Sequence, residues 1–152
     1  MSAVRILLAD DHAVIRAGIR LLLERQPEWR VVGEASDGRE TLTAADELHP
    51  DVVVMDLSMP NLNGIEATRQ ILANHPDTSV VVLSMHSDEG YVLRALKAGA
   101  RAYVLKDSTE TDLISAVRAV SGGKSFFSPA VSRLLVEDYT RQLQGRNLED
   151  SY

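Results

Sequence analysis

An α/β protein with a parallel sheet covered on both faces is the fold this sequence predicts, and three observations predict it. Five short apolar runs alternate strictly with five helical patterns between Val4 and Val120, the order in which successive βαβ units build a parallel sheet. The runs Val52–Met55 and Val80–Leu83 show no polar alternation, as expected of strands buried on both faces. Each helical pattern ends at a Pro or Gly, which keeps the connections short.

The elements follow in order. Val4–Ala9 reads as the first strand. His12–Gln26 carries Val14, Ile15, Ile19, Leu22 and Leu23 at helical spacing and stops before Pro27. Arg30–Ala35 is the second strand, Asp37-Gly38 a turn, and Arg39–Leu48 a short helix closed by Pro50. Asp51–Met55 is the third strand, and Ser58–Gly64 is a loop by its Pro, Asn and Gly content. Ile65–Asn74 is a helix with Ile65, Ile71 and Leu72 on one face, stopped by Pro76. Ser79–Leu83 is the fourth strand, Glu89–Ala98 a helix ended by Gly99, and Arg101–Leu105 the fifth strand. Thr109–Val120 places Leu113, Ile114, Val117 and Val120 inward and ends at Gly122-Gly123.

Residues 1–122 therefore form the main domain and 123–152 a linker. In the linker, Ser128-Pro129 supplies an N-cap and a proline at the first helical position. A helix is expected over 128–144, with Val131, Leu135, Tyr139 and Leu143 at four-residue spacing and Gly145 as its stop. Arg146–Tyr152 is polar and expected to be disordered.

Composition narrows the function. Hydrophobic content of 45 % with 25 % charged residues is that of a soluble globular chain. No apolar run is long enough to span a bilayer, and Met1-Ser2-Ala3 leads directly into the first strand without a signal peptide. The absence of cysteine excludes disulfides, thiolate chemistry and Cys-based zinc sites and fits a cytoplasmic location. Net charge is −6: residues 1–122 hold 12 Lys+Arg against 18 Asp+Glu, and residues 123–152 hold four of each. An acidic main domain argues against nucleic-acid binding by this chain alone, since phosphates demand a basic surface.

Five polar residues sit where strands end: Asp10 and Asp11, Asp56, Ser84 and Lys106. In an open parallel sheet the carboxyl ends of the strands form the ligand crevice, so these residues are expected to meet there. Converging carboxylates raise one another's pKa unless a cation is present. Mg²⁺ suits oxygen ligands, retained waters and phosphate oxygens. A carboxylate can act as a covalent nucleophile of the aspartyl-phosphate kind, Lys106 can neutralise phosphoryl oxygens, and Ser84 can donate to another. Taken singly, Asp11 is as well explained as a cap for the following helix and Asp56 as a turn residue; the joint placement carries the argument. The first turn lacks the glycine-rich loop of a nucleotide site, and no GxxxxGK[ST] or GxSxG motif occurs. His12, His49, His75 and His86 show no metal-ligand spacing, and a solvated surface role is expected for each.

The motifs Leu7-Leu8-Ala9-Asp10-Asp11-His12, Val32-Gly33-Glu34-Ala35, Asp56-Leu57-Ser58-Met59-Pro60 with Asn63-Gly64, Ser84-Met85-His86 and Gly99-Ala100-Arg101-Ala102-Tyr103-Val104-Leu105-Lys106-Asp107 occur in this order. With these motifs the chain resembles the receiver domain of bacterial two-component response regulators, of the NarL/FixJ type. The resemblance covers residues 4 to 122 and extends into a linker-like tail. It implies a flavodoxin-like five-stranded sheet of order 2-1-3-4-5 with five helices and a C-terminal linker helix. It implies that Asp56 accepts a phosphoryl group from a sensor histidine kinase. Asp11, Asp56 and the backbone carbonyl of Ser58 would ligate Mg²⁺, with Asp10 acting largely through water. Ser84 and Tyr103 would form the coupled switch, Ser84 moving toward the phosphoryl group and Tyr103 turning inward behind it. Many receivers carry proline after the lysine where this chain has Asp107. NarL/FixJ regulators continue into a LuxR-type helix-turn-helix, which nothing after Gly145 can form; the expectation is a receiver and linker without the output domain that would bind DNA and regulate transcription.

Ser58 and His86 lie two residues beyond Asp56 and Ser84 and are expected to flank the phosphoryl group and tune its lifetime. Conventional enzyme activity is not expected, beyond self-phosphorylation from a donor and slow dephosphorylation. The competing expectation is a phosphorylation-independent dimerisation module with a vestigial acidic site and a homodimer made through the tail.

Overall fold

The computed structural model describes residues 3–85, 89–107 and 110–150, with side chains as far as residue 145. The elements are β1 (Val4–Ala9), α1 (Ala13–Glu24), β2 (Trp29–Ala35), α2 (Gly38–Leu48), β3 (Val52–Asp56), α3 (Gly64–Asn74), β4 (Ser79–Ser84), α4 (Glu89–Lys97), β5 (Ala102–Leu105), α5 (Glu110–Ser121), β6 (Phe126–Phe127) and α6 (Pro129–Asp150). Every strand pairing is parallel, in the order β2-β1-β3-β4-β5-β6. The first five strands have the expected arrangement, and β1 lies directly beside β3.

Period-two alternation divides the core. Leu7, Val53, Met55, Val80, Val82 and Tyr103 pack with α2, α3, α4 and the start of α6. Ile6, Leu8, Val54, Val81, Leu83 and Val104 pack with α1 and α5. Strands with apolar side chains on both faces are stable only between two helical layers, which explains why β3 and β4 carry unbroken valine runs.

The sixth strand was not expected. Phe126-Phe127 is too short to show a period, yet Phe126 pairs with Ala102 and Phe127 with Tyr103. The Ser128 amide then donates to the Tyr103 carbonyl at 3.1 Å, and the Leu105 amide donates to Ser128 Oγ at 3.4 Å. The sheet thus continues past residue 122, across the boundary the sequence suggests between domain and linker.

The tail helix also differs from expectation. It starts at Pro129, as the Ser-Pro pair predicts, but continues through Gly145 to Asp150. A helical interior tolerates glycine at a cost of about 0.5–1 kcal/mol, and no proline follows; the backbone of 146–150 is helical where disorder is expected from polarity alone. The apolar stripe divides in two. Val131 is fully buried and Leu134 and Leu135 pack against the core, whereas Val136, Tyr139 and Leu143 are exposed. Amide exchange should show this division, with residues 131–135 exchanging far more slowly than 139–144. Equal, rapid exchange along the whole helix would disprove docking of the tail. Protection at 139–144 that grows with protein concentration would show that copies associate through the exposed half.

Candidate functional site at the carboxyl edge of the sheet

β1 and β3 end side by side, with Ala9 opposite Met55 and, on the far side of β3, Asp56 opposite Leu83. This register places Asp10, Asp11 and Asp56 at one edge. Asp10 and Asp56 are almost wholly buried, and Asp11 and His12 face solvent. One ligand atom from each of Asp10, Asp11, His12 and Asp56 lies within 4.8 Å of all the others.

Each carboxylate is held from the backbone. Asp10 Oδ1 accepts from the His12 amide at 2.8 Å, and the Asp10 carbonyl accepts from Arg16 at 2.7 Å. Arg16 also bonds Glu34 of β2 at 3.1 Å, and Arg20 bonds it at 2.8 Å. Burial raises the Glu34 pKa, but these two guanidinium groups outweigh it and hold the carboxyl below its ordinary value. Asp11 does not cap α1: the N-cap is His12, whose side chain makes no capping bond.

Asp56 Oδ1 accepts from the Ser58 amide at 3.2 Å. Asn63 caps α3 through the Glu66 amide at 2.9 Å, and the Gly64 amide donates to the Leu57 carbonyl at 3.1 Å. Gly64 is packed so closely under the loop that a Cβ there would lie 2.4 Å from the Asp56 carbonyl oxygen. The backbone below the carboxylate leaves no room for a side chain.

Lys106 follows β5, its amide bonded to the Ser84 carbonyl at 2.8 Å. No peptide bond among the described residues is cis, so Lys106–Asp107 is trans. Lys106 Nζ lies 3.1 Å from Asp10 Oδ2 and 3.4 Å from Asp56 Oδ2, but neither oxygen makes a properly directed hydrogen bond. Burial raises the Asp56 pKa above its ordinary value; the Ser58 amide and Lys106 oppose the rise, and Asp10 adds to it. One ammonium thus serves two buried carboxylates, with two incompletely satisfied oxygens. A divalent cation fits such a donor set, whose repulsion it would relieve.

Ser84 is fully buried at the end of β4, and Tyr103 is fully buried in the middle of β5, opposite Val82. Tyr103 is already inward, in the same packed cluster as Val131 of the tail. Ser58 is exposed at the head of the loop after β3. His86 lies outside the described residues. The structure therefore brings Asp10, Asp11, Asp56, Lys106, Ser58 and Ser84 to one edge. Three contributors were given no site role in the sequence reading: His12, Arg16 and Gly64. Only His12 carried a usable signal, its position directly after an acidic pair at a strand end.

The molecule thus joins a parallel sheet of this order to an aspartate cluster and a lysine at its carboxyl edge. The model of the response regulator receiver domain matches residues 6–118, and the chain belongs to that family. It is 38 % identical over 148 residues to the transcriptional regulatory protein DegU of Brevibacillus brevis, covering 97 % of this chain and 63 % of that protein. Over 137 residues it is 40 % identical to the oxygen regulatory protein NreC of Staphylococcus carnosus, covering 90 % and 63 %. The chain thus spans just under two thirds of these curated relatives. Among solved structures, a LuxR-family two-component response regulator from an Aurantimonas species is 39 % identical with a TM-score of 0.87, covering 91 % of this chain and 99 % of that one. The isolated receiver domain of RcsB from Salmonella enterica serovar Typhimurium, solved with the phosphomimetic BeF3-, is 33 % identical with a TM-score of 0.82 and covers 88 % and 99 %. No helix among the described residues is long and apolar enough to cross a membrane.

Proposed function

We propose that this receiver domain is switched by phosphorylation of Asp56, with a sensor histidine kinase as donor and transcription as the output. The observation that carries the reading is the shared ammonium: Lys106 Nζ lies within 3.4 Å of buried carboxylate oxygens on two adjacent strand ends. An Asp56 carboxylate oxygen attacks the phosphorus of the donor's phosphohistidine. A P–O bond forms as the P–N bond breaks, and the electron pair passes to the imidazole nitrogen, which takes up a proton. Lys106 compensates charge on the phosphoryl oxygens, and Ser84, at the end of β4, donates to one of them. Asp10, Asp11, Asp56 and the Ser58 carbonyl would hold Mg²⁺, which when bound supplies charge neutralisation to the transferring group.

Tyr103 connects the site to the tail. It is buried with Val131, and its carbonyl holds the Ser128 amide, so a rearrangement of Ser84 and Tyr103 acts directly on the start of α6. Relatives carry the names of transcriptional regulators, and RcsB has been solved bound to DNA; control of transcription is the output we assign. The reading places the protein in the cytoplasm, where kinase and DNA are both within reach.

Incubation with a small phosphodonor and Mg²⁺ should add the mass of one phosphoryl group, and chelation of the metal should prevent it. No adduct at saturating donor would overturn the reading. It would favour the dimerisation module, for which the exposed Val136, Tyr139 and Leu143 supply an apolar surface. We assign lifetime tuning to Ser58 and His86. Substituting both should change the decay rate of the adduct, and a double variant with unaltered decay would reject that role.

A further inference from the structure

The turn that leaves β1 is held at three points. The Asp10 amide donates to the Ala35 carbonyl of β2 at 3.0 Å, Asp10 Oδ1 accepts from the His12 amide at 2.8 Å, and the Asp10 carbonyl accepts from Arg16 Nη1 at 2.7 Å. Arg16 reaches this carbonyl from near the start of α1, while its Nε donates to Glu34 Oε1 of β2 at 3.1 Å. One guanidinium therefore bridges the outer strand and the acidic turn, with only 19 % of the side chain exposed. A second observation concerns the space beside the carboxylates. A cavity of about 10 Å³ borders Asp10 and Asp56 and is closed on the α1 side by Arg16 and Ile19. It offers barely the room of one water molecule.

We propose that Arg16 is a positioning residue for phosphoryl transfer: its planar fork locks the Asp10–Asp11 turn to β2 and closes the α1 side of the buried carboxylates to water. The inference rests on the reading of Asp56 as the phosphoryl acceptor. Arg16 acts through the Asp10 backbone and not on the phosphoryl group itself. With the turn fixed, Asp10 Oδ2 stays 3.1 Å from Lys106 Nζ, which also lies 3.4 Å from Asp56 Oδ2. A turn able to shift would change how this single ammonium is shared, and with it the charge on the attacking carboxylate. Lysine is no substitute, since a compact ammonium lacks the rigid fork that serves two acceptors in one plane. Arg20 supplies the contrast: it also bonds Glu34, but its other bond goes to Glu24 on the surface of α1.

Arg16→Ala, Arg16→Lys and Arg20→Gln in the whole chain test this, first without metal. The His12 amide should exchange roughly tenfold faster or more in both Arg16 variants, the factor that one hydrogen bond from a charged donor carries. Amides within α5 should keep their wild-type rates, and Arg20→Gln should leave His12 exchange unaltered. Phosphorylation by a small phosphodonor with Mg²⁺ should slow by about tenfold or more in Arg16→Lys, a usual cost of losing a residue that orients a site. Its denaturation midpoint should stay close to that of Arg20→Gln. Wild-type exchange and rate in Arg16→Lys would show that charge alone suffices, which overturns the proposal. Equal slowing in Arg20→Gln would reduce Arg16 to a support for Glu34 and also overturns it. Should Arg16→Ala fail to fold, Arg16→Lys decides alone. Absence of an adduct on the wild-type chain strikes the acceptor reading, whereas His12 exchange judges the lock on the turn independently of it.

Discussion

Asp56→Asn is expected to raise the melting temperature of the metal-free protein at neutral pH while abolishing the hydroxylamine-sensitive phosphoryl adduct. The cause is the buried carboxylate, whose pKa in the folded chain is pushed up chiefly by desolvation. A raised carboxyl pKa means that folding favours the protonated form. The stability associated with this group is fully present below its unfolded pKa and is lost as pH rises through the folded value. At pH 7 the wild-type chain therefore bears the cost of an ionised, buried Asp56, and asparagine removes it. A gain of about 1 kcal/mol would move the midpoint by a few degrees in a domain of this size. The difference between the two proteins should shrink as pH falls through the raised folded value of Asp56 and vanish below the ordinary carboxyl value of 3.8. A variant that melts lower than wild type at pH 7 without divalent ions would show that the Lys106 ion pair outweighs desolvation. An adduct at full stoichiometry in the variant would show that another residue is the acceptor.

Gly64→Ala is expected to damage both stability and the site. The added methyl would lie 2.4 Å from the Asp56 carbonyl oxygen and 2.7 Å from the Leu57 Cα. Both are backbone atoms and cannot rotate away, so the loop bearing Asp56 must shift. Overpacking of this kind costs about 1–3 kcal/mol, and here it acts on the carboxylate we propose as the phosphoryl acceptor. Phosphorylation should slow along with the loss of stability, which chemical denaturation would measure. Gly18→Ala provides the contrast. No atom lies within 4 Å of a Cβ at that helical position, so removing an interior helical glycine should stabilise by about 0.5–1 kcal/mol. Equal behaviour of the two variants would refute the claim that Gly64 is required by close approach.

The centre of the sheet was legible because its physics is written one residue at a time. Strands buried on both faces must be apolar throughout, and every residue of Val52–Asp56 and Ser79–Ser84 is buried. The residues ending those strands inherit their positions from the topology, so Asp10, Asp56, Ser84 and Lys106 could be placed together before any contact was known. Phe126-Phe127 could not be read the same way, because two residues have no period and their pairing depends on the free edge of β5. The division of the tail stripe was hidden for a related reason. A four-residue spacing says that Val131, Leu135, Tyr139 and Leu143 share a face without saying how far along it a neighbour extends. His12 looked like a surface residue because side-chain exposure and proximity to a site are not exclusive. Gly64 read as loop composition because a missing Cβ reveals nothing of what would collide with it.

The two-residue strand β6 has a consequence for angular phase. It fixes Ser128 against Tyr103, and α6 begins at the next residue, so the azimuths of Val136, Tyr139 and Leu143 are indexed to the sheet. In an α-helix each residue adds about 100° of rotation and 1.5 Å of rise. One inserted residue after Ser132 would swing Val136, Tyr139 and Leu143 about a quarter turn around the axis. Seven inserted residues would bring them to within about 20° of their present bearing while advancing them by about 10 Å. The tail therefore operates as a keyed shaft: changes in its length matter in proportion to the remainder left after whole turns, and two phenylalanines set the zero of the dial.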